Sequence, residues 1–264
     1  MNATMATEQV FSHLNEALPL EAASDLAWLG DRERCELDAL RDPGRRQQWL
    51  AGRWLAKKLV SDYADCRQLS RIQILSRDDR GRGVRPRVVV ESQEWPWSLS
   101  IAHSDQSVAI AAADLRCGVV GIDVAAASLQ ADDGFCHLWF TPRERQWGDR
   151  DRSQRYALLW AIKEAVYKAI NNGQAWSPRE IEVCASGSSR FECCYRGRKL
   201  GRLNIELSAR DDQVVAIVFL PRANATTRAV QEQFSRGRQA ASGTPSRVHS
   251  SRFVNCSVRG SHVH

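Results

Sequence analysis

The chain has 264 residues, 43% hydrophobic, 26% charged and 8% aromatic. That composition excludes a disordered, collagen-like or coiled-coil protein, and the length suffices for one large domain or two of about 130 residues. No apolar run reaches the ~18–20 residues of a membrane span, and the opening MNATMATEQV lacks the basic start and apolar stretch of a signal peptide, so a soluble, cytoplasmic protein without membrane association is expected. The net charge of +6 is concentrated at one end. Residues 221–264 hold seven arginines and one acid, Glu232, which leaves residues 1–220 neutral. With only five lysines against 32 arginines, the basic balance is weak evidence for a nucleic-acid partner. The eight cysteines include no C-x-x-C pair, so neither a disulfide nor a thiolate metal site is expected.

Residues 1–30 show no clear period. From Gly44, GRRQQWLAGRWLAKKLVSDY predicts a helix. Leu50, Ala51, Trp54, Leu55 and Leu59 recur at helical spacing, and Arg53, Lys57 and Lys58 form a cationic edge. RIQILS (71–76) alternates like a strand, and a basic, turn-rich stretch, DDRGRGVRPRVVV, runs into a second one. SLSIAHS (98–104) and SVAIAAA (107–113) predict a hairpin turning at Asp105 and Gln106. GVVGIDVAAAS (118–128) predicts a buried strand broken by one carboxylate.

FTPRERQW (140–147) carries a helix-start signature. Thr141 can cap, Pro142 suits the first helical position and Glu144 completes a reciprocal capping box. A second long helix is predicted over 153–170, closed by Asn171-Asn172-Gly173. IEVCAS, FECCYRG, RLNIELS and QVVAIVFL predict four successive strands. Beyond Pro221 the Ser/Arg-rich residues 223–264 predict a flexible basic tail. Each half thus has an amphipathic helix followed by strands, a faint duplication.

Three features could carry chemistry. Trp160, Glu164 and Lys168 stand at i, i+4 and i+8 and share one helix face; Glu164 and Lys168 could equally be a solvated surface pair. Asp123 is a lone carboxylate in an apolar strand. It is either a hydrogen-bonder to backbone amides or a ligand for a hard cation. His103, between apolar runs, is either a structural hydrogen-bonder or a site residue, and the arginines of 80–87 either line a solvated turn or hold a phosphate.

The order of these features resembles the 4′-phosphopantetheinyl transferases, specifically the larger, pseudo-dimeric type that activates peptide and polyketide synthases. The resemblance runs over most of residues 44–220. It rests on GRWLAKKL, a Gly-x-Arg-Pro loop, His-Ser, Gly-Ile-Asp, Phe-Thr-Pro-x-Glu and, most specifically, Trp-x-x-Lys-Glu-Ala-x-x-Lys after Gly-Ile-Asp. It implies an α/β (α+β) fold of two similar, pseudo-two-fold-related lobes, each a small sheet with a long helix. These would span 1–115 and 116–222, the second carrying the catalytic residues, with a tail at 223–264.

The implied reaction moves the phosphopantetheine arm of coenzyme A to a serine of an acyl, peptidyl or aryl carrier protein and releases adenosine 3′,5′-bisphosphate, with Mg²⁺ as cofactor. By the same resemblance Asp123 and Glu164 match metal ligands, and Glu164 also matches the base toward the serine hydroxyl. Lys168 matches the pyrophosphate-neutralising lysine, while His103, Arg85 and Arg53 match contacts near the coenzyme A 3′-phosphate. Trp160 would pack behind this face. Two positions depart from the pattern: Ala125 stands where a third carboxylate ligand is frequent, with Ser104 or Asp105 as substitutes, and Ala102 where a serine often precedes the histidine. A monomer is expected. The rival readings are a coenzyme A-binding relative without activity and nucleic-acid binding through the arginine-rich tail, which lacks RGG repeats.

Overall fold

The structure, a computed structural model, describes residues 10–15, 25–78, 80–104, 107–186, 190–201, 203–210 and 212–222. The expected tail at 223–264 lies outside these, as do Asp105 and Gln106 of the predicted hairpin turn. The elements are β1 (Val10–Asn15), α1 (Asp31–Asp38), α2 (Pro43–Ala64), β2 (Ile72–Arg77), β3 (Gly83–Val90), β4 (Gln93–Trp95), β5 (Trp97–His103) and β6 (Val108–Asp114). The order then continues through β7 (Gly118–Ala126), α3 (Asp133–Trp139), α4 (Pro142–Gly148), α5 (Arg152–Ile170), β8 (Ile181–Ala185), β9 (Phe191–Tyr195), β10 (Arg198–Lys199), β11 (Asn204–Arg210) and β12 (Gln213–Pro221). No helix among the described residues is long and apolar enough to cross a membrane.

The strands form four three-stranded antiparallel sheets, ordered β1-β6-β5, β2-β3-β4, β7-β12-β11 and β8-β9-β10. The second pair repeats the first in chain order, so the mixed α/β architecture contains one arrangement used twice. Each copy holds two small sheets beside a long helix, where the sequence suggested one. Local caps set two of the helix starts. Asp42 caps α2 by accepting from the Arg45 amide at 2.7 Å, with Pro43 in the first turn. The predicted box at α4 is present: the Glu144 amide donates to Thr141 Oγ1 at 3.3 Å and the Thr141 amide to Glu144 Oε2 at 2.7 Å.

Two fully buried ion pairs anchor the long helices in matching ways. In the first copy Glu33, near the start of α1, accepts from the Gly30 amide (3.0 Å), the Ile74 amide of β2 (2.9 Å) and Lys57 Nζ of α2 (2.5 Å). Lys57 also donates to the carbonyls of Trp28 (2.8 Å) and Leu69 (3.2 Å). In the second copy Glu144 accepts from Thr141 N, from Val183 N of β8 (2.7 Å) and from Lys163 Nζ of α5 (2.8 Å). Lys163 further donates to Ile181 (2.7 Å), Pro178 (2.9 Å) and Trp139 (3.3 Å). Burial lowers both lysine pKa values, and the partner glutamates oppose that fall. A charge removed this far from water persists only when paired and fully hydrogen-bonded, which both sets of contacts provide.

Candidate active site

Asp123 lies mid-strand in β7, flanked by the buried Ile122 and Val124, and is itself buried. Helix α5 crosses close over this strand because residue 121 is glycine. A Cβ there would stand 1.9 Å from the Ala165 carbonyl oxygen and 2.8 Å from the Ala169 amide nitrogen, well inside contact distance. The close crossing brings the helix face bearing Glu164 and Lys168 onto the strand. Lys168 Nζ donates to Asp123 Oδ1 at 2.6 Å, so the lysine pairs with the strand carboxylate and the solvated Glu164–Lys168 surface pair is not what forms.

Glu164 is shielded in the same place. Burial pushes its carboxyl up to about 7; the Lys168 cation pulls against this and the Asp123 carboxylate adds to it. Two acids and one lysine, 41 to 45 residues apart in sequence where strand meets helix, therefore share a single electrostatic environment.

The far edge of β7 is held from the first half of the molecule. Ser98 and Ser100 of β5 are buried, and their hydroxyls accept from the Val120 amide (2.9 Å) and the Ile122 amide (3.0 Å). These amides belong to a sheet edge, so without the serines they would be unpaired donors in an apolar interface of alanines and valines. The amide of the residue preceding Asp123 is fixed in this way.

Lys168 also lines a cleft of roughly 270 Å³ between the two halves, walled by Glu36, Trp49, Arg53, Ser76, Arg77, Arg85, His103 and Asn171 among others. His103, at the end of β5, presents an exposed edge. Crowding by surrounding protein, then the Lys168 and Arg53 charges, lower its pKa to about 4, opposed by a hydrogen bond to the Gln48 backbone, which leaves the ring neutral at physiological pH. Helix α2 passes near the ring at Gly52, where a Cβ would come within 2.9 Å of His103 Nε2.

Arg53 is buried under Trp49, its guanidinium carbon 4.5 Å from the ring centre. It donates to Glu36 Oε2 (3.1 Å) and Ser76 Oγ (2.5 Å). Arg85 crosses the cleft and donates to the Ala169 carbonyl of α5 at 3.0 Å. The six residues singled out in the sequence thus separate into two groups: Asp123, Glu164 and Lys168 at the strand–helix crossing, and Arg53, Arg85 and His103 on the opposite wall, with Lys168 reaching both.

Sequence reading missed the supports. Ser98 and Ser100 gave no sign beyond alternation with apolar residues, and Lys163, the first lysine of the Trp-x-x-Lys-Glu-Ala-x-x-Lys motif, is wholly buried. Trp160 is half-buried among Phe135, Trp139, Phe140 and Trp176, a packing role as expected. Ser104, one of the suggested replacements for a third ligand, is engaged with Ser107 (2.8 Å) and Gln213 (2.9 Å).

The family model of the 4′-phosphopantetheinyl transferase superfamily matches residues 119–218, from β7 to β12, a segment that contains Asp123, Glu164 and Lys168. The holo-[acyl-carrier-protein] synthase of Cutibacterium acnes is 30% identical over 111 residues, covering 38% of this chain and 93% of that protein. The chain belongs to the 4′-phosphopantetheinyl transferase superfamily. It is an enzyme of that family with a further, architecturally similar half preceding the matched segment. The fatty acid synthase alpha subunit hexA of Dothistroma septosporum is 27% identical over 114 residues; the match takes in 39% of this chain but spans only 7% of that protein's length. Among solved structures, the Helicobacter pylori holo-[acyl-carrier-protein] synthase in complex with coenzyme A is 21% identical over 38% of this chain and 97% of that one, with a TM-score of 0.33.

Proposed function

We propose that the chain is a pseudo-dimeric phosphopantetheinyl transferase with halves at 1–115 and 116–222. In this reading it moves the phosphopantetheine arm of coenzyme A to a serine of an acyl, peptidyl or aryl carrier protein. The observation that carries it is the meeting of Asp123, Glu164 and Lys168 at the β7–α5 crossing, inside the family-matched segment and beside a cleft rich in cations.

The donor set fits a hard divalent ion such as Mg²⁺. Asp123 and Glu164 supply two carboxylates, and among the described residues no cluster of three potential ligands forms. Mg²⁺ accepts one or two carboxylates when substrate phosphates and water complete its sphere. Bound there, it would neutralise charge on the pyrophosphate oxygens.

The chain's own residues do the rest. Glu164 takes the proton of the serine hydroxyl, directly or through water, as the serine oxygen bonds to the phosphorus bearing the pantetheine arm. The bridging P–O bond breaks and adenosine 3′,5′-bisphosphate leaves with the bonding pair. Lys168, held by Asp123, places an ammonium against the charge that grows on the departing phosphate. His103 offers a neutral imidazole to the coenzyme from the other wall.

Apo carrier protein incubated with coenzyme A, Mg²⁺ and the enzyme is expected to gain one phosphopantetheine unit by intact mass. Glu164→Ala and Asp123→Ala should each slow this by about 10²–10³-fold with folding intact by circular dichroism, the range expected when one preorganised charge-stabilising group is lost. Unchanged rates in both variants would remove these residues from the site.

A further inference from the structure

The strand that carries Asp123 is held on three sides. β12 pairs with it backbone to backbone, setting Asp123 opposite Ala216. Helix α5 packs over the face that Asp123 shares with Gly121, and Lys168 reaches the carboxylate from there. The third support is β5, which belongs to the other half of the molecule and lies outside the family-matched residues 119–218.

Residues 98, 100 and 102 of β5 fall on one face, because side chains alternate along a strand. Their neighbours in this layer are Ala109, Ala111 and Ala113 of β6 and Val120, Ile122 and Val124 of β7, so the surroundings are small and apolar. Two hydroxyls are nevertheless buried here, Ser98 and Ser100. A buried polar group is costly unless it is hydrogen-bonded, and each serine meets that condition by accepting one β7 amide. The bonds run in step, Ser98 with Val120 and Ser100 with Ile122, so side chains replace the carbonyls that a neighbouring strand would offer.

The two bonds are alike in chemistry but not in place. Ile122 and Asp123 share a peptide bond, so holding the Ile122 amide fixes the backbone from which the carboxylate projects. Val120 lies three residues from Asp123.

We infer that Ser100 is a positioning residue for Asp123: acting through the Ile122 amide, its hydroxyl sets where the strand carboxylate stands relative to Glu164, so one half of the molecule tunes divalent-ion binding by the other. The inference rests on the transferase reading, with its two-carboxylate ion site, and deepens it. Groups that orient a metal ligand without touching the metal commonly govern affinity by about 10–100-fold.

The test uses the full chain with coenzyme A present and Mn²⁺ as the probe, free ion being counted by electron paramagnetic resonance. Ser98→Ala and Ser100→Ala each take the acceptor from one buried amide and should lower the melting temperature by similar amounts. Ser100→Ala should weaken Mn²⁺ binding by about tenfold or more, and Ser98→Ala by no more than about twofold. Ser100→Thr keeps the acceptor and should recover most of the affinity. Ser100 also borders the cleft, so coenzyme A binding without metal is measured by calorimetry and should be unchanged in every folded variant.

Unaltered Mn²⁺ affinity in folded Ser100→Ala overturns the inference. So do equal losses in both alanine variants, a folded Ser100→Thr no better than Ser100→Ala, or a loss of metal-free coenzyme binding in Ser100→Ala. If Ser100→Ala does not fold, Ser100→Cys, with a weaker acceptor of similar size, should show an intermediate loss, and unchanged affinity there overturns the inference instead. A wild-type protein that binds coenzyme A but no Mn²⁺ removes the ion site and the inference with it. Binding of neither would overturn the transferase reading itself.

Discussion

The two halves of the molecule share their scaffold and differ in what they expose. Each anchors its long helix by one buried lysine to a glutamate at the start of a short helix and to a strand amide, Lys57 to Glu33 and Ile74, Lys163 to Glu144 and Val183. Superposing the helices on these lysines sets Lys58 against Glu164 and Asp62 against Lys168, a reversal of charge order. Lys58 and Asp62 are exposed, whereas Glu164 and Lys168 meet Asp123. The first half turns a different part of its helix, Gly52 and Arg53, toward the cleft. Repetition of a fold therefore fixes where the helices lie, while the residues at matching positions give the two helices different charges and different burial.

The most severe way to probe this equivalence is to break the anchors. Lys57→Met and Lys163→Met each leave a glutamate buried without its cation and should cost about 3–5 kcal/mol in urea denaturation. A large cost in one half and a negligible one in the other would show that the matching geometry is not matched in energy. Lys163→Met should also reduce transfer measured below the melting point, because it frees the helix that carries Glu164; Lys57→Met should do so less.

Gly121→Ala sharpens the contrast at the strand–helix crossing. Its methyl group meets backbone, which cannot turn aside, so α5 must move off β7, with a stability loss of about 1–3 kcal/mol and a larger fall in activity than in stability. Gly52→Ala meets the His103 and Ile101 side chains, which can adjust, and should act more weakly on turnover. Thr141→Ala removes a cap that the first half lacks at Gly30 and should cost about 1 kcal/mol in the same denaturation assay. Lys58→Ala and Asp62→Ala should leave both transfer and stability within about 0.5 kcal/mol of the original, in contrast to their counterparts on α5.

What could be read from the sequence follows from the range of each interaction. The starts of α2 and α4, the span of α5 and the apolar strands around Asp123 are set by contacts within a few residues, and each was legible to within a residue or two. The short α1, α3 and β10 were not, since their apolar faces are too brief to show a period. At the site, spacing alone left a solvated Glu164–Lys168 pair and a backbone-bonding Asp123 open, and it was the resemblance to the transferase family that pointed to Asp123, Glu164 and Lys168. The pairing of Lys168 with Asp123 in place of Glu164 depends on how closely Gly121 lets the helix approach, which spacing along the helix does not reveal. The occupations of Arg53 and Arg85 are likewise long-range. Glu36 and Ser76 lie 17 and 23 residues from Arg53, and Ala169 lies 84 residues from Arg85, so the local sequence around each arginine did not show what it holds.

The central claim, that one strand carboxylate and one helix carboxylate together enable transfer of the coenzyme arm, meets its most direct test in a single time course of intact carrier-protein mass with wild-type, Asp123→Ala and Glu164→Ala enzymes side by side. The account predicts a one-arm mass gain with the wild-type protein and almost none with either variant. Equal gains in all three, or no gain on any apo carrier protein by a folded wild-type enzyme, would contradict it.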